Sequence, residues 1–153
     1  MSFARFRCAG GALLGLLFNV ASAFGSPDLI LDISLDPQSR QFKAEAELQA
    51  STRTFRFLLH ESLRVTSARA GAENASVEPG SGPRGYRQWN IRLAQPGQKL
   101  VIRYEGQLPP LERNRDHRSV LRGMPPMAAP EGSFLASGSG WYPRPANLFS
   151  YRV

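Results

Sequence analysis

Cysteine is all but missing from this chain: Cys8 is the only one, near the N-terminus. Everything downstream is therefore without disulfides, thiol catalysis or cysteine metal ligands. Histidine is nearly as scarce, with His60 and His117 the only two, and the carboxylates are dispersed, a poor inventory for a metal site. Lysine is confined to Lys43 and Lys99, so almost all of the basic charge is arginine. Long apolar runs are absent after the first twenty or so residues, and no later segment approaches the roughly 20 apolar residues that a bilayer crossing needs. Glycine-flanked nucleophile elbows, phosphate-binding loops and dinucleotide fingerprints do not occur.

The N-terminus itself has the form of a secretory signal. Arg5 and Arg7 supply a positive start, Ala9 to Val20 a short apolar stretch, and Ala21-Ser22-Ala23 the small residues of a cleavage site. Cleavage is expected after Ala23, leaving Phe24 or a near neighbour as the new N-terminus and residues 24–153 as one domain. Phe6 and Arg7 before Cys8 are wrong for lipid attachment, and an uncleaved signal anchor is the alternative reading. The expected location is periplasmic or secreted, with no stable membrane span after cleavage. The formal charge of +7 drops when Arg5 and Arg7 leave, and the rest is interspersed with acids. Export and this mixing make nucleic acid an unsuitable partner.

What is present is alternation. Asp28 to Asp36 places Leu29, Leu31, Ile33 and Leu35 on one side, and Gln41 to Ala50 does the same with Phe42, Ala44, Ala46, Leu48 and Ala50. Alanine and glutamate favour helix, but a period of two on both sides of Pro37-Gln38-Ser39-Arg40 predicts an antiparallel hairpin. Further strands are expected over Thr54–His60, Leu63–Ala70, Tyr86–Leu93 and Lys99–Glu105, and Val77 marks a short one inside the polar loop 71–85. The last two carry Trp89, Ile91 and Leu93, then Leu100, Ile102 and Tyr104, on alternate positions. Short strands, regular turns and no helical period predict an all-β antiparallel β-sandwich.

The pattern breaks at about 107–133, where Pro109, Pro110, Pro125, Pro126 and Pro130 and a run of arginines predict an irregular excursion. Trp141-Tyr142-Pro143 anchors its far side, and Leu148 to Val153 has the look of a strand beginning, so the sandwich is expected to be incomplete at its C-terminus. A strand edge left open there predicts self-association.

Candidate chemistry is thin. His60-Glu61-Ser62-Leu63-Arg64 resembles the zinc motif H-E-x-x-H, but Arg64 stands where the second histidine belongs, and arginine cannot ligate zinc. The segment also reads as a strand entering a turn, with His60 at the surface. Asp32 with Asp36, and Glu45 with Glu47, share strand faces and read as the solvated side of a sheet rather than a catalytic pair. Arg113, Arg115, Arg118 and Arg122, with His117, form the densest basic cluster and would suit a phosphate or an acidic partner, with Glu112 and Asp116 available to pair them internally. Trp89, Trp141 and Tyr142 would form a stacking platform if exposed and core if not.

Taken in order, these segments resemble the N-terminal domain of the M1 aminopeptidases, the gluzincin zinc metallopeptidases. The resemblance runs over residues 28–153. It rests on Leu29-Ile30-Leu31-Asp32-Ile33-Ser34-Leu35-Asp36-Pro37, Phe42-Lys43-Ala44-Glu45-Ala46 and Phe57-Leu58-Leu59-His60 with Leu63-Arg64-Val65. Leu100-Val101-Ile102-Arg103-Tyr104-Glu105-Gly106-Gln107-Leu108 and Gly138-Ser139-Gly140-Trp141-Tyr142-Pro143 complete it, the latter after Glu131-Gly132-Ser133-Phe134-Leu135. It implies a saddle-like sandwich that packs against a separate thermolysin-like catalytic domain, where the zinc ligands lie. It implies no catalytic residue, no metal ligand and no cofactor on this chain, a supporting role toward the substrate cleft, and a truncated or fragmentary product. The alternative is a self-contained periplasmic module that binds a glycan or peptide through Arg113, Arg115, Arg118, Trp141 and Tyr142.

Overall fold

The computed structural model describes residues 29–112, 124–144 and 151–152. The proposed signal with Ala21 and Ala23, and the cluster Arg113, Arg115 and Arg118, lie outside the described residues. So do most of the residues expected to begin a last strand.

Eleven strands and no helix make up the described chain: β1 Leu29–Asp36, β2 Gln41–Ala50, β3 Thr54–His60, β4 Leu63–Ala70, β5 Glu73–Asn74, β6 Ser76–Gly80, β7 Tyr86–Arg92, β8 Gln98–Gln107, β9 Met127–Ala129, β10 Gly132–Phe134 and β11 Tyr151–Arg152. They form a six-stranded sheet in the order β11-β1-β2-β8-β4-β5, a three-stranded sheet β3-β7-β6 and the hairpin β10-β9. All pairings between strands are antiparallel except β1 with β11, where Leu29 lies opposite Tyr151.

The alternation explains the layers. Phe42, Ala44, Ala46, Leu48 and Ala50 of β2 are all buried, so burial overrides the helical propensity of this segment. Leu100, Ile102 and Tyr104 of β8 continue that inner face across the direct pairs Leu48↔Leu100, Ala46↔Ile102 and Ala44↔Tyr104. Phe55, Phe57 and Leu59 of β3 with Trp89 and Ile91 of β7 supply the opposing layer, and all of them belong to one core cluster. Inside the core, the Tyr104 hydroxyl and the Trp89 indole N–H have no hydrogen-bond partner among the described residues.

The turn at Pro37–Arg40 is held by Asp36, whose Oδ1 accepts from the Gln38 N–H at 3.0 Å. The Ser39 hydroxyl, then that N–H, hold the Asp36 carboxyl below its usual range. Near the same turn, on β8 opposite Phe42, Gly106 passes so close to the Ser62 carbonyl that any Cβ would collide with backbone.

Two expectations need correction. Residues 107–133 are not wholly irregular, because β9 and the start of β10 form a hairpin in register Ala129↔Gly132. Its three-residue strands are too short to show a period, and the flanking prolines only bound it. His60 closes β3 as expected but is 8% exposed rather than at the surface. The segment carrying Gly140 covers it.

Candidate functional site

No group of three or more His, Cys, Asp or Glu side chains is placed to hold a metal ion among the described residues. His60 makes its near contact with Ser62, Nδ1 to Oγ at 2.8 Å. Burial lowers its pKa from the ordinary 6.5, with Glu61 pulling the other way. A histidine paired with a serine is a fragment of a hydrolytic relay, but no carboxylate is hydrogen-bonded to its other nitrogen among the described residues. Held as it is, the pair works as a turn lock, since the Ser62 N–H also donates to Nδ1 at 3.2 Å.

The aromatic platform is absent as a surface. Trp89 and Trp141 are each 6% exposed and Tyr142 is 4% exposed. Trp141 meets Phe42 edge-on at 6.5 Å and Tyr142 at 4.7 Å, and its Nε1 donates to the Ala136 carbonyl at 3.2 Å. These rings plug one end of the sandwich. The sequence left core and surface open for them, and packing decides for core.

The outer face of the six-stranded sheet carries paired charge. Arg103 reaches Glu45 at 2.6 Å, Lys99 reaches Glu47 at 2.7 Å and Arg64 reaches Glu105 at 3.0 Å. Glu45 and Arg103, and Arg64 and Glu105, are direct cross-strand neighbours. A face whose acids answer its bases is the ordinary solvated side of a sheet.

The three-stranded sheet is different. Its outer face and the segment 138–144 enclose a cleft of about 450 Å³ lined by Arg56, Leu58, Pro83, Tyr86, Gln88 and Arg144 among others, with no carboxylate in its walls. Arg56 sits on the strand between inward Phe55 and Phe57, so alternation turns it outward. Tyr86, opposite His60 in the ladder, donates from its hydroxyl to the Gly138 carbonyl at 3.1 Å. Gly140 has φ 78° and lies against His60 N and the Tyr86 ring, where a Cβ would stand only 2.8 Å away. Glycine is needed there on both counts. Neither Arg56 nor Arg144 has an ion-pair partner among the described residues. Sequence reasoning missed both arginines. The only available signal was the outward phase of Arg56, which says nothing of a distant segment folding beside it.

Fold and site together define an all-β, sandwich-like protein with a cationic cleft on its smaller sheet. No family model and no curated protein matches the chain. No helix among the described residues is long and apolar enough to cross a membrane.

Proposed function

We propose that this chain is an exported, non-catalytic β-domain of the kind that precedes the catalytic domain of M1 aminopeptidases, acting as a support against which such a domain packs. One observation supports the reading: the Trp141-Tyr142-Pro143 turn, a distinctive part of the resemblance, is buried, with Trp141 edge-on to Phe42 in the core. The segments that carry the rest of the resemblance are strands of an all-β fold, which the reading requires. Zinc belongs to the catalytic domain in this reading, and its partner is that domain. The alternative of a glycan-stacking module loses its main support with the burial of Trp89, Trp141 and Tyr142.

The test uses protein purified from the periplasm of an expressing cell. Its N-terminus should be Phe24 or a near neighbour. It should release no chromophore from aminoacyl nitroanilides with or without added zinc, and should form a complex with the zinc-loaded catalytic domain of an exported M1 enzyme. Turnover that follows the chain through purification, or the lack of any complex at tens of micromolar, overturns the reading.

A further inference from the structure

The bonding pattern along β3 leaves one edge of the smaller sheet open beside the cationic cleft. In an antiparallel ladder successive residues point their N–H and C=O groups to opposite sides. The Leu93 N–H donates to the Arg53 carbonyl at 2.8 Å, in the same register as the β3–β7 ladder. Phe55, Phe57 and Leu59 therefore bond to β7, while Thr54, Arg56, Leu58 and His60 direct their backbone groups the other way. His60 confirms the phase, because its N–H donates outward to the Gly140 carbonyl at 2.8 Å. The Thr54 carbonyl accepts from the Thr52 hydroxyl at 2.8 Å. The N–H and C=O groups of Arg56 and Leu58 have no partner among the described residues.

We propose that this edge takes an extended acidic peptide segment of a partner protein, which adds as a strand along Thr54–Leu58 and places a carboxylate between Arg56 and Arg144. Backbone pairing at an open edge supplies affinity that is tolerant of sequence. Side-chain chemistry supplies selection, and here it is one-signed: two guanidinium groups without ion-pair partners and no acid in the cleft walls. Arginine presents a planar fork that matches a carboxylate with two parallel hydrogen bonds. Leu58 and Pro83 give the neighbouring peptide side chains an apolar wall. The Gly140 carbonyl already occupies the outward position at His60, so the added strand ends there, and the 138–144 segment sets its limit. A second feature fits: farther along the sheet Arg92 is spent on Glu78 at 3.4 Å, whereas Arg56, on the edge strand itself, has no ion-pair partner among the described residues. The proposal does not depend on kinship with any peptidase family.

The probes are two pools of fluorescein-labelled nonapeptides in which alternate positions vary among valine, isoleucine and threonine. One pool has aspartate at the centre and the other asparagine. Anisotropy on the purified full chain should show saturable binding of the aspartate pool and about tenfold weaker binding of the asparagine pool, the scale of one charge-assisted contact. Arg56→Gln and Arg144→Gln should each remove most of that preference. Leu58→Pro deletes an outward N–H without touching the bonds to β7, and should abolish binding while the thermal transition stays within a few degrees. N-methylation of alternate peptide amides tests the same pairing with the protein unaltered. Equal binding of both pools, no saturable binding of either, or full competition by succinate at millimolar concentration overturns the proposal. So does a dimer of the chain that Leu58→Pro dissociates, because a second copy would then occupy the edge.

Discussion

The two sheets share one core but differ in how they face outward. On the six-stranded sheet the charges are answered locally: Glu45, Glu47 and Glu105 each contact a base on a neighbouring strand. On the three-stranded sheet Arg56, and beside it Arg144, are unanswered, and one strand edge carries free backbone donors and acceptors. The wide sheet can satisfy itself because its central strands β2 and β8 have neighbours on both sides, so opposite charges fall across from each other. The narrow sheet has only β7 in that position, and β3 and β6 are both edges. Natural sheets commonly blunt such edges with charge or proline. β6 has Pro79, whereas β3 has Arg56 and a partial cover from Gly140. Proline removes one outward donor from the β6 edge, while β3 keeps the outward N–H groups of both Arg56 and Leu58.

The largest expected effect tests whether the core is as uneven as the faces. Phe42 is fully buried and packs its ring 6.1 Å from Tyr104 and 6.5 Å from Trp141, joining the wide sheet to the end plug. Phe42→Ala should cost about 3–5 kcal/mol. Phe55, at 9% exposed on the narrow sheet and in contact with Phe57 at 5.4 Å, lies closer to solvent, and Phe55→Ala should cost clearly less. Urea denaturation of both variants measures the difference. Equal losses would mean that the two layers contribute alike.

A smaller effect is expected at the clamp between the narrow sheet and the 138–144 segment. Burial depresses the pKa of His60 below its ordinary 6.5, so the unfolded chain binds the proton more readily than the folded one. Stability is then fully present above about pH 6.5 and declines as pH falls toward the folded value. His60→Asn keeps a side-chain partner for Ser62 without a titrating group. Melting temperatures between pH 7.5 and 5 should fall for the native chain and fall less for the variant. Parallel pH curves would show that His60 is solvated in the folded state, contrary to its cover by Gly140.

Much of this architecture was legible beforehand, and the limits are instructive. β1 to β4, β7 and β8 show themselves because each has one face in the core, and a half-buried strand must alternate. β2 shows that the period outweighs propensity, since five alternate side chains, four of them small or medium, are all buried. β9 and β10 escape because three residues carry no period. Trp141 and Tyr142 stand in a glycine-rich stretch that has no phase, so nothing local says whether they face inward. The cleft was invisible for a deeper reason. It arises from a strand edge and a segment far along the chain, and edges are a property of topology. The same outward phase describes Arg56 and Arg103, yet one is unpaired and the other lies on Glu45.

That last contrast yields the smallest expected effect. Glu45 and Arg103 lie directly opposite on β2 and β8 and meet at 2.6 Å, the shortest ion pair among the described residues. Their side chains keep 39% and 57% of their exposure, so water screens the pair and competes for both partners. A short distance in such a setting does not imply a large energy. Exposed pairs of this kind contribute about 0.2–1 kcal/mol. Glu45→Gln and Arg103→Gln, singly and together, should each shift the unfolding midpoint only slightly, with a coupling below about 1 kcal/mol that shrinks further in molar salt. Neither should alter peptide binding at β3, because the pair sits on the far face of the other sheet. A coupling of several kcal/mol would show that the wide face is locked by its charges rather than merely balanced by them. The contrast between a satisfied sheet and an unsatisfied one would then extend from binding capacity to stability.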